Sequence, residues 1–84
     1  MKLTAELSLY PLNEDYIPVI KAFIERCTRE AGLTLAPNAM STQICGDYDQ
    51  VFALVSSALR QSFEQHGKQV LVCKFIPGEL DIAA

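Results

Sequence analysis

The chain has 84 residues, of which half are hydrophobic and a fifth are charged, and its formal net charge is -3. This length corresponds to one small domain with a thin hydrophobic core. The seven Lys and Arg residues are scattered and form no basic stripe, so nucleic acid is not an expected partner.

The apolar runs and the cysteines exclude further classes. The longest uninterrupted apolar run covers only residues 51–55, whereas a membrane-spanning helix needs about 20 apolar residues. The N-terminus leads into a strand rather than a signal peptide, so we expect a soluble, cytoplasmic protein with no membrane partner. Cys27, Cys45 and Cys73 are odd in number and form no CxxC pair. This pattern predicts reduced thiols rather than a disulfide framework or a metal site.

The N-terminal segment predicts a strand with two chemically different faces, which stops at Pro11. One face carries Leu3, Ala5, Leu7 and Leu9, and the other carries Thr4, Glu6, Ser8 and Tyr10. This alternation has the period of two that is typical of a β-strand. A carboxylate and hydroxyls are costly to cover without partners, so the second face is expected to meet something polar.

A helix is predicted next over residues 16–31, because apolar residues recur there at helical spacing. Asp15 is its expected N-cap and Gly32 its left-handed C-cap. Residues 33–36 and 39–45 then predict two short strands of a hairpin. In the second of these strands, one side carries Met40, Thr42 and Ile44, and the other carries Ser41, Gln43 and Cys45.

A second helix is predicted to begin near Asp47, which is spaced from Gln50 as in a capping box, although Asp49 could cap it instead. Gly67 is expected to end it. Its predicted buried stripe consists of Val51, Phe52, Val55, Ala58, Leu59, Ser62 and Phe63.

Residues 68–76 predict the last strand, which is apolar on both sides. We divide the chain into one domain, residues 1–78, and an acidic tail, residues 79–84, which is expected to be mobile or to lie on a neighbouring subunit. The order strand, helix, strand, strand, helix, strand predicts an α+β, ferredoxin-like βαββαβ fold. Its four-stranded antiparallel sheet would carry both helices on one face, and the other face must be covered or used.

The sequence offers little for catalysis. His66 is the single histidine, and its place next to the end of the second helix suits a side chain that complements the helix dipole. The sequence contains no Ser/His/Asp set, Cys/His pair, metal-ligand spacing or Gly-rich phosphate loop. We therefore expect no enzymatic activity, no cofactor and no metal.

Two segments carry a family resemblance: residues 4–12, TAELSLYPL, and residues 40–47, MSTQICGD, just before the second helix. Together they resemble the small thiamine-binding proteins of the YkoF-like family, as a single-repeat member. The resemblance implies a homodimer or homotetramer that binds thiamine or its hydroxymethylpyrimidine moiety in thiamine salvage or transport. The chain departs from that family at residues 76–81, IPGELD, where many members have a charged stretch.

The ligand implied by the resemblance suggests roles for the polar residues of the first and third strands. Glu6 would accept from the aminopyrimidine, other side chains would satisfy the remaining edge, and Tyr10 or Met40 would offer a stacking surface. The candidate ligand-binding residues are Glu6, Ser8, Tyr10, Met40, Ser41, Thr42 and Gln43.

Each of these roles has a structural alternative. Glu6 could simply pair with a lysine such as Lys74, Met40 could be core, and Tyr10 could belong to a subunit interface. Whether Thr42 joins the face of Glu6 depends on the strand register. The alternative function is a ferredoxin-like regulatory or structural interaction module that senses another small metabolite.

Overall fold

The computed structural model describes residues 1–38 and 41–82. Its elements follow the predicted order: β1 (Lys2–Pro11), α1 (Tyr16–Thr28), β2 (Thr34–Pro37), β3 (Thr42–Asp47), α2 (Tyr48–His66) and β4 (Gln69–Pro77). The strands form one antiparallel sheet in the order β2-β3-β1-β4. Both helices contribute buried side chains to a core on the same side of this sheet. The predicted α+β, ferredoxin-like βαββαβ fold is confirmed.

The central strand β1 has the two faces that its sequence predicts. Leu3, Ala5 and Leu7 are at most 2% exposed and pack with α1 and α2. The alternate residues of β1 lie on the opposite side of the sheet, which we call the open face. On this open face Glu6 is paired with Gln43 of β3 and with Lys74 of β4.

The first helix is shorter than its sequence predicts. It ends at Thr28, with Arg29 as C-cap in a right-handed conformation. Thr28 Oγ1 and the Arg29 N–H both donate to the Glu25 carbonyl, and this local bonding closes the last turn. Gly32 does have a positive φ of 86°, but it serves the turn into β2 rather than the helix end.

The second helix begins and ends as predicted. The Asp47 carboxylate accepts from the Gln50 N–H at 3.3 Å, and Gly67 follows the last turn with a φ of 83°. The predicted buried stripe is wrong at Phe52 and Phe63, which are 39% and 56% exposed. The Phe52 ring instead stacks on the ring of Phe75 in β4, outside the core, with 4.6 Å between the ring centroids. In the described part of the chain, neither helix is long and apolar enough to span a bilayer.

The residues after β4 turn back over the open face, and we call residues 78–82 the C-terminal segment. The Gly78 N–H donates to the Lys2 carbonyl at 2.9 Å. The Thr4 hydroxyl donates to the Gly78 carbonyl at 3.0 Å and accepts from the Leu80 N–H at 3.1 Å. As far as Ile82, the C-terminal segment therefore lies against β1 of its own domain. The expected contact of the tail with a neighbouring subunit stays a prediction.

Candidate ligand-binding cleft

A cleft with a volume of about 420 Å³ lies on the open face where the C-terminal segment crosses the sheet. Its floor comes from three adjacent strands through Glu6, Gln43, Lys74 and Ile76. Its wall is the C-terminal segment, through Leu80, Asp81 and Ile82. Small-molecule sites in proteins usually measure about 300–1,000 Å³ and combine an apolar surface with a few polar groups. The cleft has both properties.

Glu6 is held at the centre of this floor by neighbours on both sides. Its Oε2 accepts from the Ser41 hydroxyl at 3.1 Å, and its Oε1 lies 3.5 Å from Lys74 Nζ. Hydrogen bonds from Ser41 and Gln43, with a smaller contribution from the charge of Lys74, lower the pKa of the Glu6 carboxyl below its ordinary value. Glu6 is therefore ionised at neutral pH.

The ion pair between Glu6 and Lys74 faces solvent. The Lys74 side chain is 75% exposed and the Glu6 side chain 35%. Such exposed pairs contribute little to stability, because water competes for both charges. The alternative that Glu6 pairs with Lys74 is thus observed, and the weakness of the pair leaves both groups able to contact a ligand.

Of the other predicted site residues that the structure describes, only Gln43 lines the cleft. Ser8, Ser41 and Thr42 instead line a smaller cavity of about 80 Å³ between β1 and α1. Ser8 follows Glu6 on the open face and is half-buried, whereas Tyr10 is 56% exposed and lies about 13 Å from Glu6 along the strand. Thr42 is paired with Leu7 and is therefore on the helix side of the sheet, where it is 4% exposed. The register thus separates Thr42 from the Glu6 cleft. Met40 lies outside the described residues.

The wall of the cleft is not predicted by the sequence patterns. Leu80, Asp81 and Ile82 form a tight turn, in which the Ile82 N–H donates to the Leu80 carbonyl at 3.0 Å. The hydroxyl that anchors them belongs to Thr4, which is 5% exposed although it is on the polar face of β1. A buried threonine two residues before Glu6 was the available signal, but its partners in the C-terminal segment are more than 70 residues away in sequence.

Other cavities fit a small organic ligand less well. A wider groove of about 570 Å³ lies on the helix layer, but its lining includes Glu25, Arg29, Gln61 and Gln65 without a large apolar side chain. A cavity of about 20 Å³ beside His66 has room for about one water molecule. Within the described residues, no group of three or more His, Cys, Asp or Glu side chains is placed to hold a metal ion.

The cysteines are packed as small apolar side chains. Burial raises the pKa of the Cys27 thiol to about 11, and burial also raises the pKa of Cys73. Cys45 is 4% exposed, and its Sγ lies 3.4 Å from the Thr4 hydroxyl. A thiol with a raised pKa is a poor nucleophile at neutral pH, because the reactive species is the thiolate.

Solved structures of the same fold come from several organisms. Protein SP2199 from Streptococcus pneumoniae is 22% identical with a TM-score of 0.86, and the match covers 95% of this chain and 90% of that chain. A second structure is TM0486 from Thermotoga maritima, which is named a "putative thiamine biosynthesis/salvage protein". It is 21% identical with a TM-score of 0.80, and the match covers 89% of this chain and 82% of that chain. Protein MJ1052 from Methanocaldococcus jannascii is 25% identical with a TM-score of 0.80, and the match covers 93% of this chain and 81% of that chain.

Sequence comparison shows the family directly. None of the curated proteins matches the chain. The model of the YKOF-related family matches residues 2–76, which include every helix and nearly every strand residue of the fold. The chain belongs to the YKOF-related family.

Proposed function

We infer that the protein binds thiamine or its hydroxymethylpyrimidine moiety, without catalysing a reaction, in thiamine salvage or transport. Membership of the YKOF-related family supports this function, as does the likeness to the Thermotoga maritima protein, whose name refers to thiamine biosynthesis or salvage. The observation that carries the proposal is the ionised Glu6 at the centre of a cleft of ligand size.

The polar groups of the cleft match the edge of an aminopyrimidine. This ring offers an amine that donates hydrogen bonds and ring nitrogens that accept them. Glu6 accepts, Lys74 donates, and the Gln43 amide does both, so adjacent strands present complementary groups along one line of the sheet. Ile76 and Leu80 add apolar surface for the flat ring.

The same groups favour a binding role without catalysis. General acid–base catalysis at neutral pH needs one group that gives a proton and another that takes it, each with a pKa near the working pH. The floor instead pairs a carboxylate of lowered pKa with a lysine, and Cys27, whose pKa burial raises to about 11, is in the core. We expect the floor groups to hold and orient a ligand rather than to transfer protons.

Assembly into a homodimer or homotetramer is part of the proposal. Beyond the cleft, the open face exposes Tyr10, Val70 and Val72 to about half of their area. These side chains are adjacent, because the register pairs Tyr10 with Val70 and Ser8 with Val72. The edge strand β4 carries two of them, and a second copy of the chain would cover this apolar surface.

Titration calorimetry with thiamine and with hydroxymethylpyrimidine tests the binding function. The wild-type protein should bind at least one of them, and Glu6→Gln should weaken that binding about ten- to a hundredfold through loss of a hydrogen bond to a charged group. Glu64→Gln is the matched control, because Glu64 is an exposed carboxylate on α2. Absence of heat with both compounds, or an unchanged affinity of Glu6→Gln, would contradict the proposal.

A thermal-shift panel of vitamins and amino acids separates this function from the alternative regulatory module. Ligand at about 100 times its dissociation constant adds roughly 2.7 kcal/mol to the free energy of unfolding. We expect stabilisation by the pyrimidine compounds. Stabilisation by amino acids in their place would identify a metabolite-sensing module.

A further inference from the structure

The charges around the cleft are unequal. Glu6 is compensated by Lys74 at 3.5 Å. Asp81 also lines the cleft, yet among the described residues no cationic side chain forms an ion pair with it. With one ammonium and two carboxylates, the cleft carries an excess of one negative charge. A neutral ligand would leave that charge unused, whereas a ligand with a permanent positive charge would neutralise it.

We propose that Asp81 is the counter-ion for a permanently cationic ring of the ligand, so that the cleft selects the intact thiazolium compound over its neutral pyrimidine part. This inference rests on the proposed function and names the form of the ligand that the same site prefers. Glu6, on the floor of the cleft, then accepts hydrogen bonds from the pyrimidine edge. Asp81, on the wall, contacts the cationic ring.

The two carboxylates are suited to different parts of one ligand. Glu6 is within contact of the Lys74 ammonium, which repels a second cation. Asp81 belongs to the C-terminal segment and is flanked by Leu80 and Ile82, which also line the cleft. A cationic aromatic ring has an apolar surface as well as a charge, so it fits a carboxylate set between two aliphatic side chains better than it fits the Lys74 side of the floor.

The position of Asp81 depends on Thr4. The Leu80 N–H, one residue before Asp81, donates to the Thr4 hydroxyl, and the same hydroxyl donates to the Gly78 carbonyl. These bonds fix the backbone of the C-terminal segment on both sides of Glu79. Thr4 is therefore a positioning residue for Asp81, since it holds the segment that carries the carboxylate.

The expected effect is moderate because Asp81 is exposed to solvent. A charge pair at about 4 Å is worth about 1 kcal/mol in water and more where water is partly excluded. We therefore expect Asp81→Asn to weaken thiamine binding about three- to tenfold. Its affinity for neutral hydroxymethylpyrimidine should be unchanged.

Titration calorimetry with both compounds on the wild type, Asp81→Asn and Glu79→Gln tests the inference. Glu79→Gln removes the same charge from the same segment, but Glu79 lines only the neighbouring depression, whereas Asp81 borders both that depression and the cleft. The control should keep wild-type affinity for both compounds. Added salt should weaken thiamine binding to the wild type more than to Asp81→Asn, because salt screens the charge pair.

Thr4→Val and Thr4→Ser test the positioning role. Valine removes the hydroxyl and should reduce thiamine affinity as Asp81→Asn does, with faster hydrogen exchange at the Leu80 amide. Serine keeps the hydroxyl and should restore both properties. Unchanged thiamine affinity in Thr4→Val, despite a freely exchanging Leu80 amide, would remove Thr4 from this role.

The outcomes separate the two proposals. Wild-type protein that binds neither compound would overturn the proposed function and the inference with it. Wild-type protein that binds thiamine and loses affinity in Glu6→Gln but not in Asp81→Asn would keep the function and overturn the inference. Equal losses for thiamine and hydroxymethylpyrimidine in Asp81→Asn would also overturn it, because Asp81 would then not distinguish the cation.

Discussion

The two ends of the open face differ although they lie on the same strands. At the Thr4 end, the C-terminal segment crosses the sheet and is tied to it by the Thr4 hydroxyl. At the Tyr10 end, nothing in the described residues covers the apolar surface of Tyr10, Val70 and Val72. The covered end has become a cleft with polar groups, whereas the uncovered end is an apolar patch on an edge strand.

The difference between the two ends has a chemical cause. A segment of the same chain encloses a cleft only where a side chain can satisfy its backbone, and Thr4 provides both the donor and the acceptor. The side chains of Val70 and Val72 offer no hydrogen bonds to a crossing segment, and their end of the face stays exposed. Glu6 lies between the two ends.

The largest expected effect is on assembly, at the uncovered end. Val72→Asp places a charge in the centre of the apolar patch and should convert the proposed oligomer into a monomer, since an unpaired charge is costly to bury. Light scattering at micromolar concentration measures this, with Val72→Thr as the control of similar shape. A wild-type protein that is already monomeric would show that the uncovered end is not an interface.

A smaller effect is expected at the covered end. Thr4→Val should lower the free energy of unfolding by about 1–2 kcal/mol, because it removes the hydrogen bonds that hold the C-terminal segment. Denaturant titration measures the loss, and Thr4→Ser should recover most of it. An unchanged midpoint in Thr4→Val would mean that the segment adds nothing to the stability of the sheet.

The smallest effect concerns the pH dependence of Glu6, between the two ends. Its pKa is lower in the folded protein, so its contribution to stability is present above the unfolded-state pKa and is lost as the pH falls through the folded-state pKa. The midpoint temperature of unfolding should therefore be slightly higher for the wild type than for Glu6→Gln at neutral pH. This difference should decrease as the pH is lowered. A gap that widens in acid would contradict the lowered pKa.

Much of the fold could be predicted because it depends on local patterns. The alternation in β1 separates Leu7 from Glu6 by the geometry of the extended backbone alone. The caps at Asp47 and Gly67 are likewise local, since their hydrogen bonds and φ angles involve only a few neighbouring residues. The buried stripe of α2 was predicted less accurately, because it depends on which elements pack against the helix. The structure buries Leu54 and places Phe52 against Phe75 outside the core.

For the candidate site, the sequence by itself determined which residues share a side of each strand. Glu6, Ser8 and Tyr10 share one side of the first strand, and Ser41 and Gln43 share one side of the third strand. Only the tertiary structure decided that Glu6 meets Gln43 and Lys74, and that Thr42 faces the helices beside Leu7. It also decided that residues 78–82 return to Thr4 and form the cleft wall. The physical reason is that strand register and the path of a terminal segment depend on contacts between residues far apart in sequence, which no local periodicity encodes.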